Sequence, residues 1–521
     1  MKRYRLCALA ASMLLGLCGC TPALTQKPDS GAQPAESDGG FDISAYKTKI
    51  ESLKAVWSQP GHADEIRAAI PELFQTADEA YAAYIRSEIA YYCDWNNDRL
   101  SDARNAAYED FSVATDMTRW AVFNGAKRSE YKELFAAYDL DCDPAYYLLY
   151  TLTRLISYAK KNAAEDSALL DSYYDAAYGG SEDPAEKNLE CAQLYLDILN
   201  SEPASDHDYT SYCRDYTPED VITLYEELIP FFQPLRGRIY DALKERDAVL
   251  PSPGDTMQLL QKYAGRLSPE IGESADILIG EQLYTAVSGS GCYDGSFTVS
   301  LPNEQTALMY LYTDGSYLDF TSAVHEFGHF HSERNEQTPV LLQKNCVDLA
   351  EVQSQGMEVL FTAFYPEIFG DYAQTAELAE LFNLTDAVLS GLAVGRFEAA
   401  VMEQADSLKA EDVLALYEKY CTSCGVDLEF YEITHLFEQP GYYVSYGVSA
   451  LPALQLYTEM QEDAAAARQR YAKISAVSSV AGTARFRQTM RECGLDDIFT
   501  PGTAAALAEQ LQSSLERLIT E

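Results

Sequence analysis

The chain has 521 residues, enough for two or three domains or for one large helical body with a cleft, and its 47% hydrophobic content excludes global disorder. Its 38 Lys and Arg against 81 Asp and Glu leave a formal net charge of -43. That balance works against nucleic-acid binding, which needs basic patches, and suits an exported, soluble protein.

The first residues read as a targeting segment. Lys2, Arg3 and Arg5 precede an apolar run from Leu6 to Leu17 that is too short to span a bilayer comfortably. Leu17-Cys18-Gly19-Cys20 resembles a bacterial lipobox. The resemblance implies a lipoprotein signal peptide over 1–19 and a lipid on Cys20, a palmitate-bearing N-terminus. It would hold the protein on the extracytoplasmic face of the cell membrane. An ordinary secretory signal is the plainer alternative. Residues 20–42 form a lipidated cysteine and a flexible tether rich in Pro, Ser, Gly and Ala.

From Ile43 to about Arg266 apolar residues recur at three- and four-residue spacing, so 43–266 is expected to be a helical N-terminal region. Ala63 to Trp95 reads as one long helix or two, broken near Pro71. Thr217-Pro218-Glu219-Asp220 is a helix start, with a Thr cap, a Pro and two acids in the first turn. Around Ile277 the character changes. Phe297 to Leu301 and Ala307 to Tyr312 are short β-type runs, followed by the turn Asp314-Gly315-Ser316. They predict a small sheet whose edge could pair with an extended peptide.

His325-Glu326-Phe327-Gly328-His329 comes next, an instance of H-E-x-x-H. On a helix, residues four apart share one face, so His325 and His329 can offer two imidazoles to one metal ion. Glu326 stands beside the first of them, where a general base is needed. His331 lies two residues past His329 and so well round the helix from that face. Downstream, Glu351 and Glu358 are seven apart, about two turns, among Leu349, Val352, Val359 and Leu360. A carboxylate among apolar residues is costly without a charged partner, and a zinc ion would be one. A catalytic zinc wants three protein ligands and an open position. His325, His329 and Glu351 fill that list, with Glu358 to orient a ligand imidazole.

From Leu378 onward the pattern is again mainly helical, interrupted by a Tyr-rich loop from His435 to Gly447. His435, Tyr443 and Tyr446 are the candidates to contact substrate and an oxyanion. Nine of the 12 Cys lie beyond the signal region, and Cys421-Thr422-Ser423-Cys424 reads as a helix end, with no second pair to make a zinc ribbon.

HEFGH, with Glu351 in the segment AEVQSQGMEVL, resembles the M3 family of zinc metallopeptidases, the oligoendopeptidase F and thimet oligopeptidase groups. In that family the third ligand belongs to such a segment, matching Glu351, with Ser354 and Glu358 in step. The His435 and Gly441 to Tyr446 run resembles its His-then-Tyr cluster. The resemblance covers about Ile277 to Tyr457. It implies a mainly α fold: a large helical zincin body with a deep substrate cleft and a small β-sheet beside the HExxH helix, and 267–521 as the catalytic region. It also implies one Zn2+ ion and zinc-dependent hydrolysis of short peptides. A monomer tied to the membrane by its lipid is expected. A non-catalytic peptide-binding lipoprotein on the same scaffold is the second reading.

Overall fold

A computed structural model gives the fold and describes residues 41–138, 140, 150–179, 181–201, 212–246 and 249–520. The signal segment, Cys20 and nearly all of the tether lie outside the described residues. Eight longer helices come first: α1 Ile43–Trp57, α2 Ala63–Cys93, α3 Asp98–Ala126, α4 Leu152–Tyr174, α5 Pro184–Ser201, α6 Pro218–Arg246, α7 Thr256–Leu267 and α8 Pro269–Gly280. Strands β1 Tyr284–Val287, β2 Phe297–Leu301 and β3 Thr306–Tyr312 follow. Then come α9 Leu318–Glu333, α10 Val347–Phe361, α11 Ala373–Met402, α12 Ala410–Tyr420, α13 Val444–Glu462, α14 Ala464–Ser475, α15 Phe486–Cys493 and α16 Thr503–Thr520. The expected mainly helical body with a small sheet before the HExxH helix is what the chain forms.

The details differ in three places. Pro71 does not break its helix: α2 runs through it. Ile66, Ile70, Leu73, Phe74 and Ala77 make a continuous buried stripe on both sides, and that burial outweighs the missing backbone donor. The sheet has a third strand, β1, which pairs parallel with β3 while β2 pairs antiparallel, giving the order β1-β3-β2. Four residues in parallel pairing leave too short a pattern to see in sequence. The Tyr-rich loop is also partly helical, with a turn at His435–Glu438 and α13 already begun at Val444.

Packing divides into three clusters. The first helices build one around Trp57, Trp120 and Phe135. A small second cluster sets Ala82, Ile85 and Ile89 of α2 against Leu301 and Tyr310 of the sheet. The large core takes in residues from Tyr173 to Leu515. At its centre lies α11, whose apolar stretch is long enough to cross a membrane but is 94% buried inside the protein. Helices α11 and α13 touch backbone to backbone: a Cβ on Gly391 would sit 2.7 Å from Gly447 Cα, and one on Gly447 would sit 2.7 Å from Leu392 N. Only two glycines allow that approach, and it fixes the first turn of α13, which carries Tyr446.

Helix α10 is buried along nearly its whole length, so its polar side chains must all find partners inside. Asp348 meets Arg214, both side chains fully buried, and also accepts from Tyr216 at 2.7 Å and Ser445 at 2.6 Å. Arg214 donates on to Gly441 O at 2.9 Å. Gln353 Nε2 donates to Ile474 O and Val477 O. This network ties α10 to the Tyr loop on one side and to the start of α6 on the other.

Asp78 of α2 accepts from the backbone N–H of Val340, in the connector after α9, at 2.8 Å. Burial raises its pKa from the ordinary 3.8 to about 6, against the Val340 bond and with a push from Glu79. An acid whose folded pKa stands above its unfolded value binds a proton on folding. Its contribution is therefore full below the unfolded pKa and is lost as pH rises through the folded one. Asp78→Asn keeps the acceptor oxygen and cannot ionise. Thermal unfolding across pH should show the variant more stable than wild type above neutrality, with the difference shrinking to nothing at about pH 4.

Candidate metal centre and cleft

The turn before α9 is built by side chains. Asp319 accepts from the N–H groups of Asp314 and Gly315 at 2.9 and 3.0 Å, and Ser316 Oγ accepts from Leu318 N. The Asp319 bonds close the turn, and the Ser316 bond satisfies one of the donors that a helix start leaves open. Phe320, Val324, Phe327 and Phe330 anchor α9 in the core, which turns His325, Glu326 and His329 toward the cleft.

Opposite them runs α10, and the crossing is close. A Cβ on Gly328 would lie 2.6 Å from Ser354 Cα and 2.8 Å from Gln353 O. No side chain fits there, so glycine lets the two helices meet and brings Glu351 beside the imidazoles. Glu351 Oε2 is 3.4 Å from His325 Nε2, and Oε1 is 3.8 Å from His329 Nε2. One donor atom from each of the three residues lies within 4.8 Å of the others. His325 Nδ1 is 2.7 Å from Glu358 Oε1, which places the ring proton on Nδ1 and leaves the Nε2 lone pair facing Glu351. Glu351 is 1% exposed. Burial pushes its pKa up, but His325, His329 and Tyr442 outweigh burial and hold it at about 2. Burial likewise lowers His329 to about 4, against the pull of Glu351. Burial lowers the His325 pKa too, but Glu358 and Glu351 outweigh burial and raise it well above the ordinary value, so a metal ion would displace its Nε2 proton. Two imidazoles and an ionised carboxylate, converging and buried, are the donor set that zinc takes.

Glu326 is set by the sheet. Thr298 Oγ1 of β2 lies 2.9 Å from Glu326 Oε2 and 3.0 Å from its carbonyl oxygen. Burial raises the Glu326 pKa to about 7, against lowering by His325 and Thr298.

The Tyr loop closes the other side. His435 Nε2 is 3.0 Å from the Tyr446 hydroxyl, and both line the cleft. Tyr443 does not. It is 3% exposed, packed behind the His435 and Tyr446 rings. Its neighbour Tyr442 takes the cleft position and donates its hydroxyl to Glu351 Oε1. The chain turns helical at Val444, so the register of the loop sets which of two adjacent tyrosines faces Glu351. Sequence reasoning also missed Thr298, Arg214 and Asp348. None carries a motif; each is recognised only by what it touches. His331 points away from the site, with Nδ1 2.8 Å from Ser274 Oγ of α8.

The cleft has a volume of about 490 Å³. One wall is α2, with Tyr81, Glu88 and Tyr92; another is the segment from Tyr293 to Ser300, including β2. Six further carboxylates line it: Glu88, Asp294, Asp314, Asp319, Glu333 and Glu438. Neither Lys nor Arg is among the described residues that line it. Glu333, one turn beyond His329, has a carboxylate without a hydrogen-bond or ion-pair partner among the described residues. Burial, then the nearby Glu336, Glu326 and Glu351, raise its pKa to about 8.

No family model and no curated protein matches the chain. Solved structures do. A candidate oligoendopeptidase F solved at 3.1 Å superposes with a TM-score of 0.72 at 16% identity, covering 93% of this chain and 99% of the other. PZ peptidase A, solved with an inhibitor, gives 0.72 at 15% identity over 93% of this chain and 99% of its own. A candidate oligoendopeptidase F from Bacillus anthracis str. Ames gives 0.68 at 15% identity over 94% and 99%. The chain therefore has the helical oligoendopeptidase fold over nearly its whole length.

Gly328→Ala should force α9 and α10 apart. Zinc titration of the purified variant is expected to show affinity reduced about tenfold or more, with a lower Tm. Unchanged zinc affinity would mean that the crossing does not position Glu351.

Proposed function

We propose that the protein is a zinc-dependent oligopeptidase that hydrolyses short peptides in the cleft. The observation that carries this reading is the convergence of His325, His329 and Glu351 on one side of Glu326, with Thr298 fixing that carboxylate in the cleft. The likeness to oligoendopeptidase structures supports it at the level of fold.

His325, His329 and Glu351 would hold the zinc, and Glu358 would keep the His325 ring in its ligating tautomer. When bound, the ion supplies Lewis acidity that polarises a peptide carbonyl and makes water nucleophilic near neutral pH. Glu326 accepts the proton of the attacking water and delivers it to the leaving amine. Its buried position favours the task, because burial brings a carboxyl group toward neutral pKa. Tyr446 and His435 provide donors for the negative charge that develops on the carbonyl oxygen. Strand β2 lies at the sheet edge and faces the cleft, so an extended peptide can add to it through backbone hydrogen bonds. A folded protein presents few such segments, and the cleft walls exclude it sterically. The lipobox-like segment ending at Cys20 supports anchorage on the extracytoplasmic membrane face as part of the same proposal.

Glu326→Gln should keep zinc and lose hydrolysis by roughly a hundredfold to ten-thousandfold. Peptide cleavage read by mass spectrometry, with metal content measured on the same sample, checks this. A variant cleaving at near the wild-type rate would exclude Glu326 as base, and peptide capture by wild type without turnover would favour the binding-protein reading.

The lining carboxylates predict a charge preference as well. Peptides carrying Lys or Arg should be cleaved with a lower KM than acidic peptides of equal length, and added salt should narrow the gap. Glu333 ionises only above its raised pKa of about 8, so Glu333→Gln should narrow the gap in mild alkali, change it little at neutral pH and leave zinc content unchanged. Equal KM values for basic and acidic peptides would contradict it.

A further inference from the structure

Cys93 is the last residue of α2, and Cys292 lies 199 positions later in the loop between β1 and β2. Nothing in the zinc site uses either. The fold nevertheless brings them together. The N–H of Tyr293 donates to Tyr92 O at 2.8 Å, and the N–H of Trp95 donates to Gly291 O at 3.0 Å. These two bonds bracket Cys93 and Cys292 and run the two segments past each other in opposite directions. The Tyr310 hydroxyl fastens the same spot, reaching Tyr92 O and Tyr293 O at 2.9 Å each. The rings of Tyr92 and Tyr293 stack with centroids 4.7 Å apart.

Cys93 still belongs to the helix, and it is the bond from Tyr293 N–H to Tyr92 O, between the peptide units next to the two cysteine Cα atoms, that holds those atoms close. A disulfide accepts Cα separations of about 4.4–6.8 Å, the scale on which such a backbone bond holds neighbouring Cα atoms. Both residues are thiols in this structure, and Cys292 Sγ donates to Gly289 O at 2.9 Å. Each thiol pKa is raised to about 11 by burial, and Cys93 adds to the rise at Cys292. The effect of Cys93 on Cys292 agrees with close approach.

We infer that Cys93 and Cys292 form a built disulfide site that staples the end of α2 to the cleft-rim loop. The residues that follow the bridge, Tyr293 and Asp294, line the cleft, as do Glu88 and Tyr92 on the other side of it. The bridge fixes one wall of the cleft without touching the metal ligands. It forms by exchange with a small-molecule disulfide such as glutathione disulfide. Two protein thiols lose two protons and two electrons to one small disulfide, which leaves as two thiols, and one S–S bond joins the chain. The high thiol pKa values make the exchange slow at neutral pH and faster in mild alkali. Cys421 and Cys424, by contrast, sit within one tight turn and join nothing distant.

The test is oxidation of the full chain with glutathione disulfide, blocking of the remaining thiols, proteolysis and peptide mass spectrometry. The expected product is a peptide pair joining Cys93 to Cys292, two hydrogens lighter than the sum of its parts and separated by reductant. Amide exchange of residues 289–296 should be slower in the oxidised protein than in the reduced one, and Cys93→Ser should abolish that difference. Glutathione attached singly to either cysteine, or a full set of blocked thiols at both positions after oxidation in mild alkali, would overturn the inference. The measurement on unsubstituted protein stands whether or not the variant folds.

Discussion

The structure depends on two helices passing too close for a side chain. Gly328 lies between the two histidines of α9, and its missing Cβ leaves room for Ser354 and the Gln353 carbonyl of α10. Glu351 stands one turn before Ser354, so the approach that admits no methyl group sets a carboxylate 3.4 Å from one imidazole. Placing three such groups together in a buried site is unfavourable unless a cation or a proton compensates. Glu351 is held ionised and His329 is held neutral, which is the protonation state a divalent ion needs.

The rest of the body holds that crossing in place. The buried Arg214 and Asp348 pair secures the first turn of α10 and, through Ser445 and Gly441, the Tyr loop that faces Glu351. The second glycine crossing, Gly391 on Gly447, sets the turn that carries Tyr446. The sheet contributes from the opposite side, with Thr298 fixing Glu326. Three independent supports thus converge on one volume, two of them made of polar groups paired inside the protein and the third a close glycine contact. Acidic side chains outnumber basic ones in the remaining lining, as they do in the whole chain.

What could be read from the sequence, and what could not, follows from range. His325, Glu326 and His329 share a helical turn, and helical spacing makes their common face readable. Glu358 is readable for the same reason, two turns from Glu351 on the same helix. The strand Phe297–Leu301 keeps its expected bounds, and a turn at 302–305 closes its far end. By contrast, β1 depends on parallel pairing with β3 and gives no local signal. The choice between Tyr442 and Tyr443 depends on where α13 begins, a one-residue matter that neighbouring tyrosines hide. Thr298, Arg214 and Asp348 are ordinary in sequence and are recognised only by contacts 28 to 134 positions away. Pro71 shows the reverse case: a strong local signal overridden by a buried stripe.

The central claim is that one zinc ion binds where α9 crosses α10. Anomalous scattering at the zinc edge, from crystals of the full chain loaded with zinc, tests it most directly. The account predicts a single strong peak about 2.0–2.2 Å from His325 Nε2, His329 Nε2 and a Glu351 carboxylate oxygen. A peak at other residues, or no peak between these three in zinc-saturated crystals, would contradict it.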